Sequence, residues 1–190
     1  MDIVELAAIR AVLGQAYADD PLSAWIFPDA STRAEACAVW YGLFAETYAR
    51  CAQVTWLADD DAACLWHTPD DPALTWPDFP TIAGVLNTLV GAAHAERVGN
   101  ALHPISDLTP SEPHVYVNFL AVAPSKQGRG AGARAIAPAL EAARDRGLGV
   151  RLESTNPRNL PFYERLGFQR RAALQLGNGP RLVSLWRDPS

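Results

Sequence analysis

The feature that most constrains this fold is a nine-residue stretch, His114–Val122, which is apolar on both of its faces and is followed by Pro124. A strand with one side in water alternates between apolar and polar residues, whereas a strand that is apolar on both sides is typical of the middle of a covered sheet. Proline has no N–H to give to a ladder, so the strand is expected to end there. The sequence therefore predicts a central strand with other layers on both faces.

The segments after this strand predict a mixed α and β fold around one sheet. A glycine-rich loop, a helix to about Arg146 and a strand at Val150–Glu153 form a strand-helix-strand crossover, which implies two parallel strands. The remaining predicted elements are a short helix and a closing hairpin, at Leu160–Leu166, Phe168–Leu174 and Arg181–Trp186.

The first half of the chain is predicted to be mainly helical and rich in aromatic residues. A helical stripe begins at Leu6 and stops at Asp19-Asp20-Pro21, and a second helix runs from Ser31 or Thr32 to about Arg50. A proline-rich loop (Pro69, Pro72, Pro77, Pro80) is expected to separate a hairpin from a third helix. The hairpin strands and that helix are predicted at Val54–Leu57, Ala62–Trp66 and about Thr81–Arg97.

Composition favours one compact cytoplasmic domain over residues 1–190. The chain has 190 residues, 49% of them apolar, and its three cysteines include no C-x-x-C pair, so a disulfide framework and a zinc site are both disfavoured. The N-terminal residues are acidic, and the longest nearly apolar stretch, Ile82–Ala93, is too short to span a membrane. Neither export nor a membrane partner is expected, and the oligomeric state is left open.

The net charge of −5 is divided unevenly along the chain. Residues 1–113 hold 4 Arg and no Lys against 11 Asp and 5 Glu, a net charge of −12, whereas residues 114–190 hold 11 Arg and 1 Lys against 2 Asp and 3 Glu, a net charge of +7. Such a division indicates either two ligands of opposite charge or two halves that attract each other. We favour the first interpretation because of the motifs below.

Three glycines at alternate positions lie between the central strand and the next helix. Glycine adopts backbone conformations that other residues avoid, so successive N–H groups can point into one concavity at the positive end of the helix dipole. A loop of this kind suits phosphate, with charge-assisted contacts from Arg129, Lys126 and Arg134. A flexible linker with a glycine N-cap is the plainer alternative. The loop consists of Gln127, Gly128, Arg129, Gly130, Ala131 and Gly132.

Two nucleotide-binding folds with glycine-rich loops, the P-loop fold and the dinucleotide-binding fold, match this loop poorly. A P-loop requires Gly-Lys followed by Ser or Thr, and Lys126 precedes the glycines. A dinucleotide-binding fold requires G-x-G-x-x-G directly after the strand and an acidic residue near the end of the next one. Glu153 could take the acidic role, but the spacing is G-x-G-x-G and too little chain follows for a second half-sheet. NAD binding is therefore disfavoured.

The strand, the glycine loop and the segment Phe162–Phe168 together resemble the GNAT superfamily of acetyl-CoA-dependent N-acetyltransferases. Within it the sequence is most similar to the puromycin N-acetyltransferase group, which shares a His-x-Tyr at the start of the strand, a proline at position 138 inside the following helix, and the segment Pro157–Phe168. The strong likeness covers His114–Phe168. The strand that the superfamily places ahead of the first helix is not found.

The resemblance implies a GNAT fold, with a mostly antiparallel central sheet whose one parallel pair splays around the cofactor, flanked by helices. Acetyl-CoA would lie between the strands that end at Val122 and Glu153. Its pantetheine would pair with the main chain of Leu120, Ala121 and Val122, and its diphosphate would lie on residues 127–132. A backbone N–H near Leu120 or Val122 could stabilise the oxyanion of the tetrahedral intermediate. The mechanism requires no metal.

The tyrosine that matches Tyr163 in the family donates a proton to the departing CoA thiolate. A phenol, with a reference pKa of about 10, is suited to that role. A packed core tyrosine whose hydroxyl bonds a carbonyl is the alternative. Asn159 is expected either to contact the cofactor or only to cap the short helix.

The general base is less well defined by the sequence. A protonated amine must lose a proton before it attacks the thioester. Glu153, at the end of its strand, is the first candidate, and His114, at the start of the other strand, is the second. Glu153 could instead pair with a neighbouring arginine, His114 could only cap its strand, and water could carry the proton.

The acceptor is predicted to be a small amine bound by residues 1–113, with acetyl-CoA bound by residues 114–190. The negative charge of the first half favours a cationic acceptor and argues against a nucleic acid. An antibiotic-like amine is the most specific version of this prediction, with direct transfer and no covalent enzyme intermediate. A non-catalytic acyl-CoA sensor or scaffold is the alternative. Candidate pocket aromatics, most of which could equally be core, are Trp25, Trp40, Tyr41, Trp66 and Trp76.

Overall fold

The computed structural model describes residues 1–50, 53–71 and 78–189. Its helices are α1 Ile3–Tyr17, α2 Pro21–Ile26, α3 Arg33–Arg50, α4 Phe79–Val90, α5 Ala92–Leu102, α6 Ala131–Asp145 and α7 Leu160–Arg165. Its strands are β1 Val54–Leu57, β2 Ala62–His67, β3 His114–Val122, β4 Gly149–Ser154, β5 Gln169–Gln175 and β6 Arg181–Arg187. Pro72, Pro77, Trp76 and Cys51 lie outside the described residues.

The strands form one six-stranded sheet in the order β1-β2-β3-β4-β6-β5. Within the described residues β3 and β4 pair in parallel, and each of the other neighbouring pairs is antiparallel. This arrangement confirms the predicted mixed α/β fold with a mostly antiparallel sheet and one parallel pair. It also follows from the crossover through α6, since a helical connection returns the chain in the same direction.

The two faces of the sheet carry separate hydrophobic cores. On one face, α1, α3, α4 and α5 pack side chains such as Leu13 and Tyr48 against β2 and β3. On the other face, α6 and α7 pack Ile136 and Leu160 against β3, β4 and β6. A strand covered on both faces must be apolar on both, which is the pattern that the sequence of β3 displays. The described residues ahead of α1 form no strand.

One prediction for the helices of the first half was wrong, and one helix was not predicted. One continuous helix was expected over Thr81–Arg97, but Gly91 has a φ of 78°, outside the helical region, and separates α4 from α5. Asp19-Asp20-Pro21 ends α1 as predicted, yet it also begins the additional helix α2, with Asp20 as N-cap and Pro21 in the first turn. Both residues favour a helix start as strongly as a helix stop.

Ion pairs join the acidic and basic halves of the chain. Arg134 pairs with Asp60, Arg146 with Asp70, and Arg171 with Glu112. Attraction between the halves therefore accounts for part of the division of charge. All three pairs are at the surface, where such contacts each contribute about 0–1 kcal/mol.

Two properties of the described part of the chain bear on its class. None of its helices combines the length and the apolar character that crossing a bilayer requires. No group of three or more His, Cys, Asp or Glu side chains within it is arranged to hold a metal ion.

Candidate active site

The site begins at a β-bulge in β3. Leu65 of β2 is opposite Phe119, and the next residue, Trp66, is opposite Val117, so Asn118 is an extra residue in β3. Beyond this point β3 also leaves β4, because the parallel pairing stops at Tyr116 opposite Arg151. Bulges bend a strand and often lie beside active sites. The two strands therefore diverge into a gap at their carboxyl ends.

Main-chain groups of β3 face this gap. The Ala123 N–H donates to the Asp61 carbonyl at 2.9 Å on the β2 side. Since the direction of main-chain groups alternates along an antiparallel strand, Ala121 also faces β2, whereas Leu120 and Val122 face the gap. Leu120 and Val122 thus turn their main-chain groups toward the gap, and Ala121 turns its own toward β2. The Val122 carbonyl accepts a hydrogen bond from the Gln127 side chain at 3.1 Å.

The glycine loop forms an exposed turn at the start of α6. Gly128 and Gly130 have φ angles of 76° and 80°, and Gly130 is the N-cap of α6. The first N–H groups of a helix have no acceptor within the helix, so those of α6 remain available to an anion. Gln127, Gly128, Arg129 and Gly130 are all exposed to solvent. The turn therefore presents a backbone suited to a phosphate.

The acidic turn between β1 and β2 holds two of the three cations predicted to assist this loop. The Arg134 guanidinium contacts Asp60 at 2.8 and 3.2 Å and donates to the Arg129 carbonyl at 3.2 Å. Lys126 donates to the Asp59 carbonyl at 3.3 Å. Within the described residues the Arg129 guanidinium forms neither a hydrogen bond nor an ion pair. Of these three cations, Arg129 is therefore the one available to a ligand, whereas the contacts of Arg134 hold the loop in shape.

We expect Gly128→Ala to weaken coenzyme A binding about 5- to 30-fold. A Cβ at position 128 would meet no atom within 4 Å, so the change adds no clash, but the φ of 76° lies in the left-handed region. Holding a residue with a Cβ there costs about 1–2 kcal/mol. Isothermal titration with coenzyme A measures the change. Gly99→Ala, within α5 and equally open, is the matched control, for which the dissociation constant should not change.

Tyr163 projects from α7 into the same region. A helical turn at residues 157–159, fixed by the Asn156 side chain accepting the Arg158 N–H at 3.1 Å, leads into α7, and Gly167, with a φ of 88°, follows its end. Tyr163 is 8% exposed, and within the described residues its hydroxyl has no hydrogen-bond partner. The pKa of Tyr163 is raised above its ordinary value, mainly because the side chain is buried. The residue is therefore a protonated donor without a fixed acceptor.

The Asn159 side chain makes no capping hydrogen bond to α7, although capping was one of its two predicted roles. It lies instead at the wall of a cavity of about 180 Å³ that it shares with Tyr163 and Leu120. The walls also carry many aromatic rings and two acidic residues. These are Tyr17, Trp40, Tyr41, Phe44, Tyr116, Phe119, Asp20 and Glu153.

Glu153 is the more strongly fixed of the two acidic residues in this cavity. Its carboxylate pairs with the Arg151 guanidinium at 2.6 Å and accepts the Tyr116 hydroxyl hydrogen at 2.8 Å. The side chains of Arg151 and Glu153 are 6% and 8% exposed. Burial raises the pKa of Glu153, and the charge of Arg151 opposes that rise. The pairing with an arginine that the sequence left open is thus present.

Asp20 was not predicted as a site residue. Its carboxylate caps α2 by accepting the Leu22 N–H at 2.9 Å, and it accepts the Thr155 hydroxyl at 2.8 Å. It is 8% exposed, and no ion pair to it is formed within the described residues. Burial raises its pKa, with the hydrogen bonds from Leu22 and Thr155 opposing. A carboxylate without a cation inside an aromatic cavity is suited to an ammonium group.

The structure does not bring His114 to this cavity. It begins β3, two residues before Tyr116, and does not line the cavity, although its charge lowers the pKa of Glu153 in the cavity wall. Its ring contacts Trp186, and its Nδ1 lies 2.7 Å from the Glu112 carbonyl oxygen.

The predicted pocket aromatics divide between cavity and core. Trp40 and Tyr41 line the cavity, and the Trp40 indole also donates to the Ile82 carbonyl at 3.2 Å. Trp25 packs on the His94 ring and donates to Asn178, and Trp66 donates to Thr55. Trp76 lies outside the described residues.

A larger groove of about 720 Å³ runs beside β5 and β6. Its charged side chains are Arg170, Arg171 and Arg181, and no carboxylate, tyrosine or histidine lines it. Among the described residues, this groove therefore has no carboxylate, tyrosine or histidine for proton transfer, whereas the walls of the smaller cavity have the carboxylates and tyrosines named above.

The profile of the Acetyltransferase (GNAT) family matches residues 39–168 of this chain. The chain therefore belongs to the GNAT family of acetyltransferases. It is an N-acetyltransferase, and enzymes of this family take their acetyl group from acetyl-CoA.

Solved structures agree on the fold. A structure described as histone acetyltransferase HPA2 and related acetyltransferase, from Corynebacterium glutamicum, is 21% identical with a TM-score of 0.65, and covers 100% of this chain and 94% of its own. Arylalkylamine N-acetyltransferase 2 from Aedes aegypti is 12% identical with a TM-score of 0.64, covering 100% and 97%.

Proposed function

We propose that this enzyme transfers an acetyl group from acetyl-CoA directly to the amine of a small cationic or aromatic acceptor. One observation carries the proposal. The unpartnered hydroxyl of Tyr163 and the carboxylates of Asp20 and Glu153 line one aromatic cavity at the point where β3 and β4 separate. A proton donor, proton acceptors and an apolar surface for an amine are thereby placed beside one open strand edge.

The residues present fit acetyl-CoA. Leu120 and Val122 turn main-chain groups toward the gap, those of Leu120 being paired with the Tyr17 hydroxyl in this structure. The turn at residues 127–132 offers N–H groups and the cation Arg129 for a diphosphate. The bound cofactor supplies an activated thioester. The exposed loop follows the end of β3, and the cavity lies farther back along the same strand. The diphosphate end and the thioester end of an extended cofactor would therefore contact different residues.

Asp20 is the carboxylate best placed to take the proton of the acceptor. Since no cation among the described residues pairs with it, Asp20 can attract an ammonium group and accept a proton from it. Its raised pKa makes it a better proton acceptor than an ordinary aspartate. Glu153, the first candidate from the sequence, is held by Arg151 and Tyr116, and we assign it to the wall that orients the acceptor, with proton transfer through water as its alternative role.

The gap-facing main chain of β3 and Tyr163 serve the other half of the reaction. Of the Leu120 and Val122 N–H groups, the one that pantetheine leaves unpaired can donate to a developing oxyanion, a contact whose loss typically costs about 3–4 kcal/mol. The Tyr163 hydroxyl can donate its proton to a departing thiolate, and its raised pKa keeps that proton in place at neutral pH.

The two described cysteines support direct transfer. Cys37 and Cys64 are both buried, and burial raises the pKa of each thiol. A thiol that stays protonated is a poor nucleophile, so neither is suited to carry the acetyl group.

The acceptor side of this proposal follows the cavity and the division of charge. Residues 1–113 supply Asp20 and most of the rings, and residues 114–190 supply the cofactor side. The resemblance to the puromycin N-acetyltransferase group supports an antibiotic-like amine as the most specific acceptor. A nucleic acid is disfavoured by a wall that carries carboxylates.

An amine-library screen that follows release of the free CoA thiol tests this function. We expect turnover with small arylalkyl amines, and the acetylated amine should be identified by its mass. Activity confined to proteins or RNA would contradict the proposal. A wild-type protein that binds acetyl-CoA without turning over any amine would favour a sensor.

A further inference from the structure

Tyr17, the last residue of α1, covers the open edge of β3 from the other half of the chain. Its hydroxyl donates to the Leu120 carbonyl at 3.3 Å and accepts the Leu120 N–H, also at 3.3 Å. One hydroxyl can do both, because it has one donor and two acceptor positions. Tyr17 therefore satisfies the groups that β4 would have paired if the two strands had not separated.

The ring of Tyr17 belongs to the acceptor cavity. It packs against Tyr41 at 5.0 Å and Phe119 at 5.8 Å between ring centroids, and it lines the cavity together with Tyr163. A movement that takes the hydroxyl away from Leu120 must also move this ring. The cofactor edge and the acceptor wall thus share one side chain.

Tyr17 and a bound pantetheine cannot use Leu120 at the same time. Pairing with pantetheine requires the Leu120 N–H or carbonyl, and a main-chain N–H donates one good hydrogen bond. We propose that Tyr17 is a placeholder that closes the β3 edge in the free enzyme and leaves Leu120 when acetyl-CoA enters, so that cofactor binding reshapes the acceptor cavity. This inference rests on the proposed function, in which the cofactor pairs with β3.

If Tyr17 is a placeholder, the cost of displacing its hydroxyl reduces the net binding free energy of the cofactor. Tyr17→Phe keeps the ring and leaves the Leu120 groups unpaired in the free enzyme. Both effects favour a ligand that pairs with Leu120. A net hydrogen bond corresponds to about 3- to 10-fold in affinity, which is the gain expected for coenzyme A.

Titration calorimetry with two ligands tests this. Coenzyme A contains the pantetheine arm, whereas adenosine 3′,5′-bisphosphate has the adenosine phosphates without that arm. We expect Tyr17→Phe to tighten coenzyme A about 3- to 10-fold and to leave the bisphosphate unchanged. Tyr48→Phe, a buried tyrosine of α3 outside the cavity, controls for loss of stability and should change neither constant.

Each other outcome counts against a different statement. Coenzyme A binding that is unchanged or weaker in Tyr17→Phe, or equal gains for both ligands, would overturn the placeholder. A wild-type enzyme that binds neither ligand would overturn the proposed function instead. Should Tyr17→Phe fail to fold, ¹³C-tyrosine-labelled wild type gives the second readout. The Tyr17 ring resonance should move with coenzyme A and not with the bisphosphate, and a resonance that ignores coenzyme A contradicts the inference.

Discussion

Tyr163→Phe should lower kcat by about 10²- to 10⁴-fold, the usual contribution of a positioned proton donor. The phenylalanine keeps the ring packed against Phe162 and Phe168, so only the unpartnered hydroxyl is lost. Because the hydroxyl bonds no other described residue, its removal should leave the fold intact and the dissociation constant of acetyl-CoA within about twofold. Steady-state kinetics of thiol release, together with calorimetry, gives both numbers.

Tyr48→Phe is the matched control, since it removes a buried tyrosine hydroxyl that lies 3.0 Å from His67 Nδ1, outside the cavity. Its kcat should stay close to that of the wild type. If Tyr163→Phe also retained wild-type kcat, Tyr163 would be a packing residue, and another group would have to protonate the thiolate.

Asp20→Asn should lower kcat/KM by about 10²- to 10³-fold at neutral pH, in the range of general-base catalysis. Asparagine is as good an N-cap as aspartate and can still accept the Leu22 N–H, so α2 should remain. The variant loses the charge that attracts an ammonium group and the base that takes its proton. Wild-type kcat/KM should rise with pH as the Asp20 carboxyl ionises, at a pH above that of an ordinary aspartate because burial raises the pKa of Asp20.

The pH profile separates Asp20 from its neighbours. In Asp20→Asn the rise of kcat/KM with pH at the acidic limb should disappear. Asp19→Asn changes the adjacent, exposed aspartate and should preserve the profile. If Glu153→Gln removed the acidic limb while Asp20→Asn kept it, the base would be Glu153. Circular dichroism is needed for Glu153→Gln, because that change leaves Arg151 buried without a charged partner.

The second half of the fold could be predicted from the sequence because its signals are local. An apolar strand, a proline, a glycine turn and a helix occupy consecutive positions, and each follows from its own residues. The bulge at Asn118 could not be predicted this way, since an extra residue in β3 is defined only by its pairing with β2. That bulge, which opens the gap, gives Leu120 its role.

The first half shows where local signals are ambiguous. Gly91 occurs within an otherwise helical pattern, and only the packing of α4 and α5 fixes it as a break. Asp20-Pro21 is compatible with a helix end or a helix start, and it provides both, which brings Asp20 into the cavity. The helix-start signal of Asp20-Pro21 was thus the clue in the sequence that could have identified the Asp20 carboxylate.

A crystal structure of the enzyme with coenzyme A tests the central claim most directly. We expect the diphosphate on the N–H groups of residues 127–132, pantetheine along Leu120 and Val122, and the sulfur beside the Tyr163 hydroxyl. Coenzyme A bound in the groove beside β5 and β6, with the gap between β3 and β4 still filled by side chains, would contradict it.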